Sequence, residues 1–201
     1  MDTPEELDSP LAARPELLAT HLAMEKAVAA AEECASQPCD VVLAFDTIVV
    51  LDGEVLGKPL DVPDAWRMLR CLSGRTHQVV TGVAINRPSE NEARSLAVTT
   101  NVRMKSLTDC QIEAWMAVGE FMGCAGAYNI EGQVAEVELD ECYQNVAGLP
   151  LCHLWAELQA MQLPCALPRL TSPLGSCDRA LARSCLLGRR VAGVDREQGE
   201  T

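Results

Sequence analysis

The chain has 201 residues, 48% of them hydrophobic but only 3% aromatic, which supports one sizeable core built from Leu, Val, Ala and Met. Twenty-nine acidic against 16 basic residues give a formal charge of −13, a field that opposes nucleic-acid polymers and anionic membrane surfaces but leaves room for a small phosphate ligand in a locally positive pocket. The opening Met-Asp-Thr-Pro-Glu-Glu lacks the basic and apolar regions of a signal peptide, and no apolar run approaches a membrane span, so a cytoplasmic protein is expected.

Residues 1–10 are acidic and contain Pro, an exposed lead-in, and residues 15–36 carry a helical pattern with Leu17, Leu18, Leu22 and Val28. Val41 to Phe45 is a continuous apolar run, as in a strand buried on both faces; Asp46 and Thr47 stand where it first becomes polar, and Ile48 to Leu51 follow. Asp52-Gly53 is a turn signal between apolar segments. Pro63-Asp64 opens a helix that carries Trp66, Leu69 and Leu72 and stops at Ser73-Gly74. Strands are expected over Val79–Ile85 and Leu96–Val102, then a helix to about Val118 capped by Thr108 or Asp109. A Gly-rich loop covers 119–132, Val134–Leu139 alternates like a half-exposed strand, and Pro150 begins a helix towards Met161. Beyond residue 163, Pro164, Pro168 and Pro173 break periodicity, with room for a short helix at Arg179–Leu187. The expectation is an α/β domain over 1–162 and an irregular or partly helical extension over 163–201.

Asp46, at the end of a buried strand, has the chemistry to hold a Mg2+ ion or to position a water and accept its proton; capping a turn is the plainer reading. Gly53 to Pro59 resembles a phosphate loop but is not Walker A, being one residue short with Pro59 in place of Ser or Thr. Lys58 there is either a phosphate-binding point charge or a solvent-facing hairpin lysine. Ser73 to His77 supplies phosphate-compatible donors including Arg75, and His77 has no acidic partner in sequence, which favours a structural or surface role. Tyr128, Glu131 and Gly132 lie in a segment able to form a base or sugar pocket, and Asn145 is placed to bond across a turn. The ten cysteines contain no Cys-x-x-Cys and read as small apolar residues of a reducing compartment; a zinc site from Cys142, Cys152 and His153 is the minor alternative.

Four segments taken together carry a family resemblance. Ala44-Phe-Asp46-Thr47 running to Gly57-Lys58-Pro59-Leu-Asp61, then Ser73-Gly74-Arg75-Thr-His77, Ala125-Gly126-Ala-Tyr128-Asn-Ile-Glu131-Gly132, and Tyr143-Gln-Asn145-Val-Ala-Gly148-Leu-Pro150 resemble the signatures of Maf-like proteins, in order over roughly 15–160. The resemblance implies an elongated mixed-sheet α/β domain of the Maf and inosine triphosphate pyrophosphatase type, commonly a homodimer. It implies cleavage of a nucleoside triphosphate to the monophosphate and pyrophosphate with a divalent cation, Mg2+ or Mn2+, in the branch acting on dTTP and UTP. By the same resemblance Asp46 is the catalytic base and metal ligand, and Lys26, Thr47, Lys58, Asp61, Arg75 and Glu131 are expected to contact substrate.

The resemblance also has departures. The first strand and phosphate-gripping loop of the family fall before this sequence begins, Gly123-Cys124 stands where the family has Asp-Lys, and Glu131 stands where this branch has Gln. The absent cationic loop, the lysine replaced by Cys124 and the carboxylate added at Glu131 each make a polyphosphate site less positive. They keep open a non-catalytic nucleotide-binding or protein-interaction domain as the alternative.

Overall fold

The computed structural model describes residues 10–34, 39–161 and 171–193. Helix α1 (Pro15–Glu33) starts with Pro in its first turn and buries Leu18, Ala19, Leu22, Ala23 and Ala27, one stripe at three- and four-residue spacing. Strand β1 (Val42–Leu51) runs through Asp46 and Thr47 without a break, then turns at Asp52-Gly53, both at positive φ, into the short β2 (Glu54–Leu56). Helix α2 (Val62–Leu72) is capped by Asp61, whose carboxylate accepts from the Asp64 N–H at 2.8 Å. Strands β3 (Thr76–Arg87) and β4 (Glu92–Met104) form a long hairpin paired from Thr76–Arg103 to Arg87–Glu92.

Helix α3 (Asp109–Val118) resolves the choice of cap in favour of Thr108. Its hydroxyl accepts from Gln111 N at 3.3 Å, while the Gln111 side chain accepts from Thr108 N at 2.9 Å. The expected strand over 134–139 shortens to β5 (Ala135–Glu136), which meets only the end of β4. Helices α4 (Tyr143–Val146) and α5 (Leu151–Ala160) follow, and the single short helix expected near 179–187 is instead two, α6 (Leu174–Leu181) and α7 (Leu186–Val191), with a break between them. This part packs on the rest: Arg183 Nη1 donates to Val137 O at 2.9 Å and Leu186 N to Leu139 O at 3.2 Å.

The sheet order is β2-β1-β3-β4-β5. The α/β class is as expected; the sheet, expected to be mixed, is antiparallel at every pairing among the described strands, because β3 returns beside β1 and β4 hairpins back on β3. Both faces are covered. On one, α1 lies over Ile48, Val50, Val80 and Ala84. On the other, Val49, Leu51, Val79, Val102 and Met104 pack with Leu69, Leu72, Ile112, Trp115 and Phe121, while Val83 and Ile85 meet Leu154 and Leu158 of α5. Each Leu or Ile so enclosed contributes about 1.5–3 kcal/mol relative to exposure.

One close approach fixes α1 on the sheet. A Cβ on Gly82 would lie 2.0 Å from the Ala19 carbonyl oxygen and 2.5 Å from Thr20 N, so helix backbone sits directly on strand backbone there. Ala19, Ala23 and Ala27, all fully buried, keep the same contact line thin along the helix. No helix among the described residues is long and apolar enough to cross a membrane.

Candidate active site

Strand β2 pairs with β1 only over Val49–Leu51, so among the described residues no strand covers the outer edge of β1 before that point. A cleft of about 280 Å3 opens along this edge. Its floor is Phe45, Thr47, Val49 and Val79, which share one face of the sheet, while Asp46 points to the opposite face, where α1 supplies Lys26. Asp46 is 7% exposed and forms an ion pair with Lys26, whose ammonium remains partly open to solvent. The pair lies opposite Gly82 in the sheet register, so the tight seating of α1 also sets the Lys26–Asp46 contact.

Lys58 lines the same cleft just after β2. It is held there by a cross-connection: Gly57 O accepts from Gly126 N at 3.0 Å, tying the lysine loop to the 125–127 turn. Lys58 thus stands at the wall of the cleft. The cleft lining thus carries two lysines against one carboxylate, a locally positive site in a chain of charge −13. Cys124 also lines it; burial, helped by Glu120, pushes its thiol up despite the opposing Lys58 charge, so this position is neutral at ordinary pH.

The far wall rests on buried polar bonds. Asn145 is fully buried, with its amide nitrogen donating to Val79 O at 3.1 Å, Val98 O at 2.9 Å and Thr100 Oγ1 at 3.1 Å. Those bonds pin α4 across β3 and β4 and so place Val146, Ala147 and Gly148 at the cleft. Thr81 Oγ1 donates to Asn145 O at 3.2 Å and lies 2.9 Å from Thr47 Oγ1, linking the cleft floor to the same anchor. Tyr128, another wall residue, places its hydroxyl 2.6 Å from Nε2 of His77, with the two rings edge to face. Burial lowers the His77 pKa to about 4 and raises that of Tyr128, so the pair is neutral. His77 is therefore a structural residue, as its lack of an acidic partner suggested.

The expected catalytic and substrate-binding residues divide into two groups. Lys26, Asp46, Thr47 and Lys58 converge on the cleft. Asp61, Arg75 and Glu131 are not in its lining. Asp61 is committed to the α2 cap, Arg75 pairs with Asp52 at the β1–β2 turn, and Glu131 is exposed on the 130–132 turn. Residues that the local patterns missed are Asn129 and the 146–148 wall. Asn129 is immobilised at both ends, donating to Glu120 at 2.9 Å and accepting from Gly132 N at 2.8 Å. No group of three or more His, Cys, Asp or Glu side chains converges to hold a metal among the described residues, which leaves the Cys142, Cys152 and His153 zinc reading without support.

The site is a groove at an exposed strand edge of an α/β domain, lined by one buried carboxylate and two lysines. The family is fixed by comparison: a family model described as Maf-like protein matches residues 1–161, and the chain belongs to that family. A Geobacter sulfurreducens protein named dTTP/UTP pyrophosphatase is 44% identical over 143 residues, 70% of this chain and 73% of that protein. Proteins of the same name from Shewanella denitrificans and Xanthomonas euvesicatoria are 45% identical over 149 residues and 46% over 142; the matches span 74% of each relative and 73% and 69% of this chain.

Proposed function

We propose that the chain hydrolyses a nucleoside triphosphate of the dTTP and UTP type to the nucleoside monophosphate and pyrophosphate. The observation that carries the reading is the buried Asp46 held by Lys26 in a cleft whose opposite side presents Lys58. The names of the relatives add the substrate class.

In this reaction Asp46 accepts a proton from a water as the water oxygen bonds to the α-phosphorus. The bridging α–β P–O bond breaks and pyrophosphate leaves. Lys26 orients the carboxylate from one side, and Lys58 offsets the charge that builds on the leaving phosphates. Tyr128 and the 146–148 wall enclose the nucleoside, keeping its position fixed relative to the carboxylate.

A divalent cation fits the donor set, because a single cleft carboxylate suits Mg2+ or Mn2+ shared with water and substrate phosphates rather than an all-protein cage. Asp46 is the residue that would hold it, and when bound the ion neutralises charge on the phosphate oxygens. The reading extends to a homodimer working in the cytoplasm.

The test is Asp46→Asn, which keeps size and hydrogen bonding but removes the proton acceptor. Turnover should fall by at least about a hundredfold, the usual worth of a positioned base, with unfolding by denaturant largely preserved. Turnover at the parent rate would remove Asp46 from the mechanism.

A further inference from the structure

Away from the cleft, a small pocket with about 10 Å3 of free space lies between the α4–α5 elbow and the C-terminal helices. Four thiols line it: Cys142 ahead of α4, Cys152 in the first turn of α5, Cys177 in α6 and Cys185 at the start of α7. Nothing in the hydrolytic reaction uses them. Space for one water-sized sphere is too small for an organic ligand, and among the described residues no group of three or more His, Cys, Asp or Glu is placed to hold a metal ion. What remains is sulfur chemistry between pairs.

Two of these sulfurs meet at a common neighbour, Gly188. The Sγ atoms of Cys152 and Cys185 each lie 3.3 Å from the same point, the position a Cβ would take on Gly188. Leu174 Cδ1 bounds the same point at 2.8 Å, so the space left by the glycine is shared by the two sulfurs and this methyl group. Gly188 N also donates to Cys185 Sγ at 3.2 Å, and the Asp178 carboxylate accepts from Cys185 N at 2.9 Å, so the start of α7 is held in place. Cys152 is buried, whereas Cys185 is partly exposed and is the sulfur an outside reagent meets first.

We propose that Cys152 and Cys185 form a modification site, an oxidisable dithiol whose disulfide staples α7 to the α4–α5 elbow. With a small-molecule disulfide as oxidant, the Cys185 thiolate attacks one reagent sulfur and releases one reagent thiol. The Cys152 thiolate then attacks the Cys185 sulfur of the mixed disulfide and releases the second. Two protein protons are lost, and the reagent disulfide takes up the two electrons. Forming a bond near 2 Å requires both cysteine side chains to rotate beside Gly188 and the Leu174 side chain to give way. Burial, together with the neighbouring thiols and Asp178, raises the Cys152 pKa to about 12, so the second step quickens as pH rises. The elbow bearing Cys152 also carries the 146–148 wall of the cleft, so the staple anchors that wall from behind.

The full-length protein is incubated at pH 8.5 with oxidised glutathione, digested without reduction and analysed by mass spectrometry. The expected product is a peptide pair joined through Cys152 and Cys185, alongside glutathione adducts on the exposed Cys71 and Cys110. Cys152→Ser should stop at a glutathione adduct on Cys185, whereas Cys142→Ser and Cys177→Ser should still cross-link. Circular dichroism of each variant separates loss of pairing from loss of fold. A link through Cys142 or Cys177 in place of this pair, or a parent protein that yields only glutathione adducts, overturns the proposal.

Discussion

Replacing Gly82 by Ala adds one methyl group where the structure has no place for it. The new Cβ would sit 2.0 Å from Ala19 O and 2.2 Å from Ala19 C, against an ordinary contact that begins at 3.4 Å, so α1 and β3 must separate by roughly 1.4 Å. The obstacle is helix backbone, and no rotamer change relieves it. A gap of 0.5–1 Å already forfeits a quarter to a half of each dispersion contact. The contacts at risk are those of Leu18, Ala19, Leu22, Ala23 and Ala27 on the sheet. Overpacking of this kind costs typically 1–3 kcal/mol, and the backbone obstacle places this case near ~3 kcal/mol. With a urea m-value of about 2 kcal/mol/M, the midpoint should fall by roughly 1.5 M. The variant should also lose turnover, because Lys26 rides on the displaced helix. Gly123→Ala is the control: nothing lies within 4 Å of its added Cβ, so its stability should stay within about 0.5 kcal/mol of the parent. If Gly82→Ala matches that control, α1 does not sit on the sheet as described.

Further perturbations test the walls and the charge of the cleft. Asn145→Ala removes the three side-chain bonds from α4 to β3 and β4 while keeping the Thr81 bond to its carbonyl; it should cost about 2 kcal/mol and lower Tm by roughly 4–8 °C in a thermal melt. His77 has a folded pKa of about 4 against 6.5 when unfolded, so in that window the unfolded chain binds the extra proton. The contribution of neutral His77 is complete above pH 6.5 and lost as pH falls towards 4, on the order of 3 kcal/mol in all. The slope of unfolding free energy across pH 4–6.5 should therefore be shallower in His77→Asn than in the parent. Cys124→Lys adds a cation beside Lys58 and should lower KM for a nucleoside triphosphate about fivefold, roughly 1 kcal/mol; an unchanged KM would place the phosphates elsewhere.

Features set by neighbours in the chain were legible before any coordinates. The α3 cap was narrowed to Thr108 or Asp109 and falls on Thr108, and Asp52-Gly53 makes the β1–β2 turn. Strand ends were not. Apolar runs marked only Val79–Ile85 and Leu96–Val102, yet Thr76, His77 and Gln78 extend the ladder at one end and Asn86 and Arg87 at the other, because pairing needs only their backbone groups. Asp46 looked like the end of a strand and is instead its middle, since Gly82 opposite and Lys26 above accommodate the carboxylate.

The cleft was legible only in part, for a similar reason. Lys26 and Asp46 are 20 residues apart, and their pairing depends on where α1 lands. Arg75 and Glu131 lie within recognisable segments, but their side chains leave towards Asp52 and solvent. The structural weight of Asn145 depends on three partners in two distant strands, which no local pattern could signal.

The measurement closest to the central claim is product identification from UTP and dTTP with Mg2+ or Mn2+. The account predicts equimolar nucleoside monophosphate and pyrophosphate. Folded protein that binds the nucleotide without turning it over, or that releases orthophosphate and a nucleoside diphosphate, would contradict it.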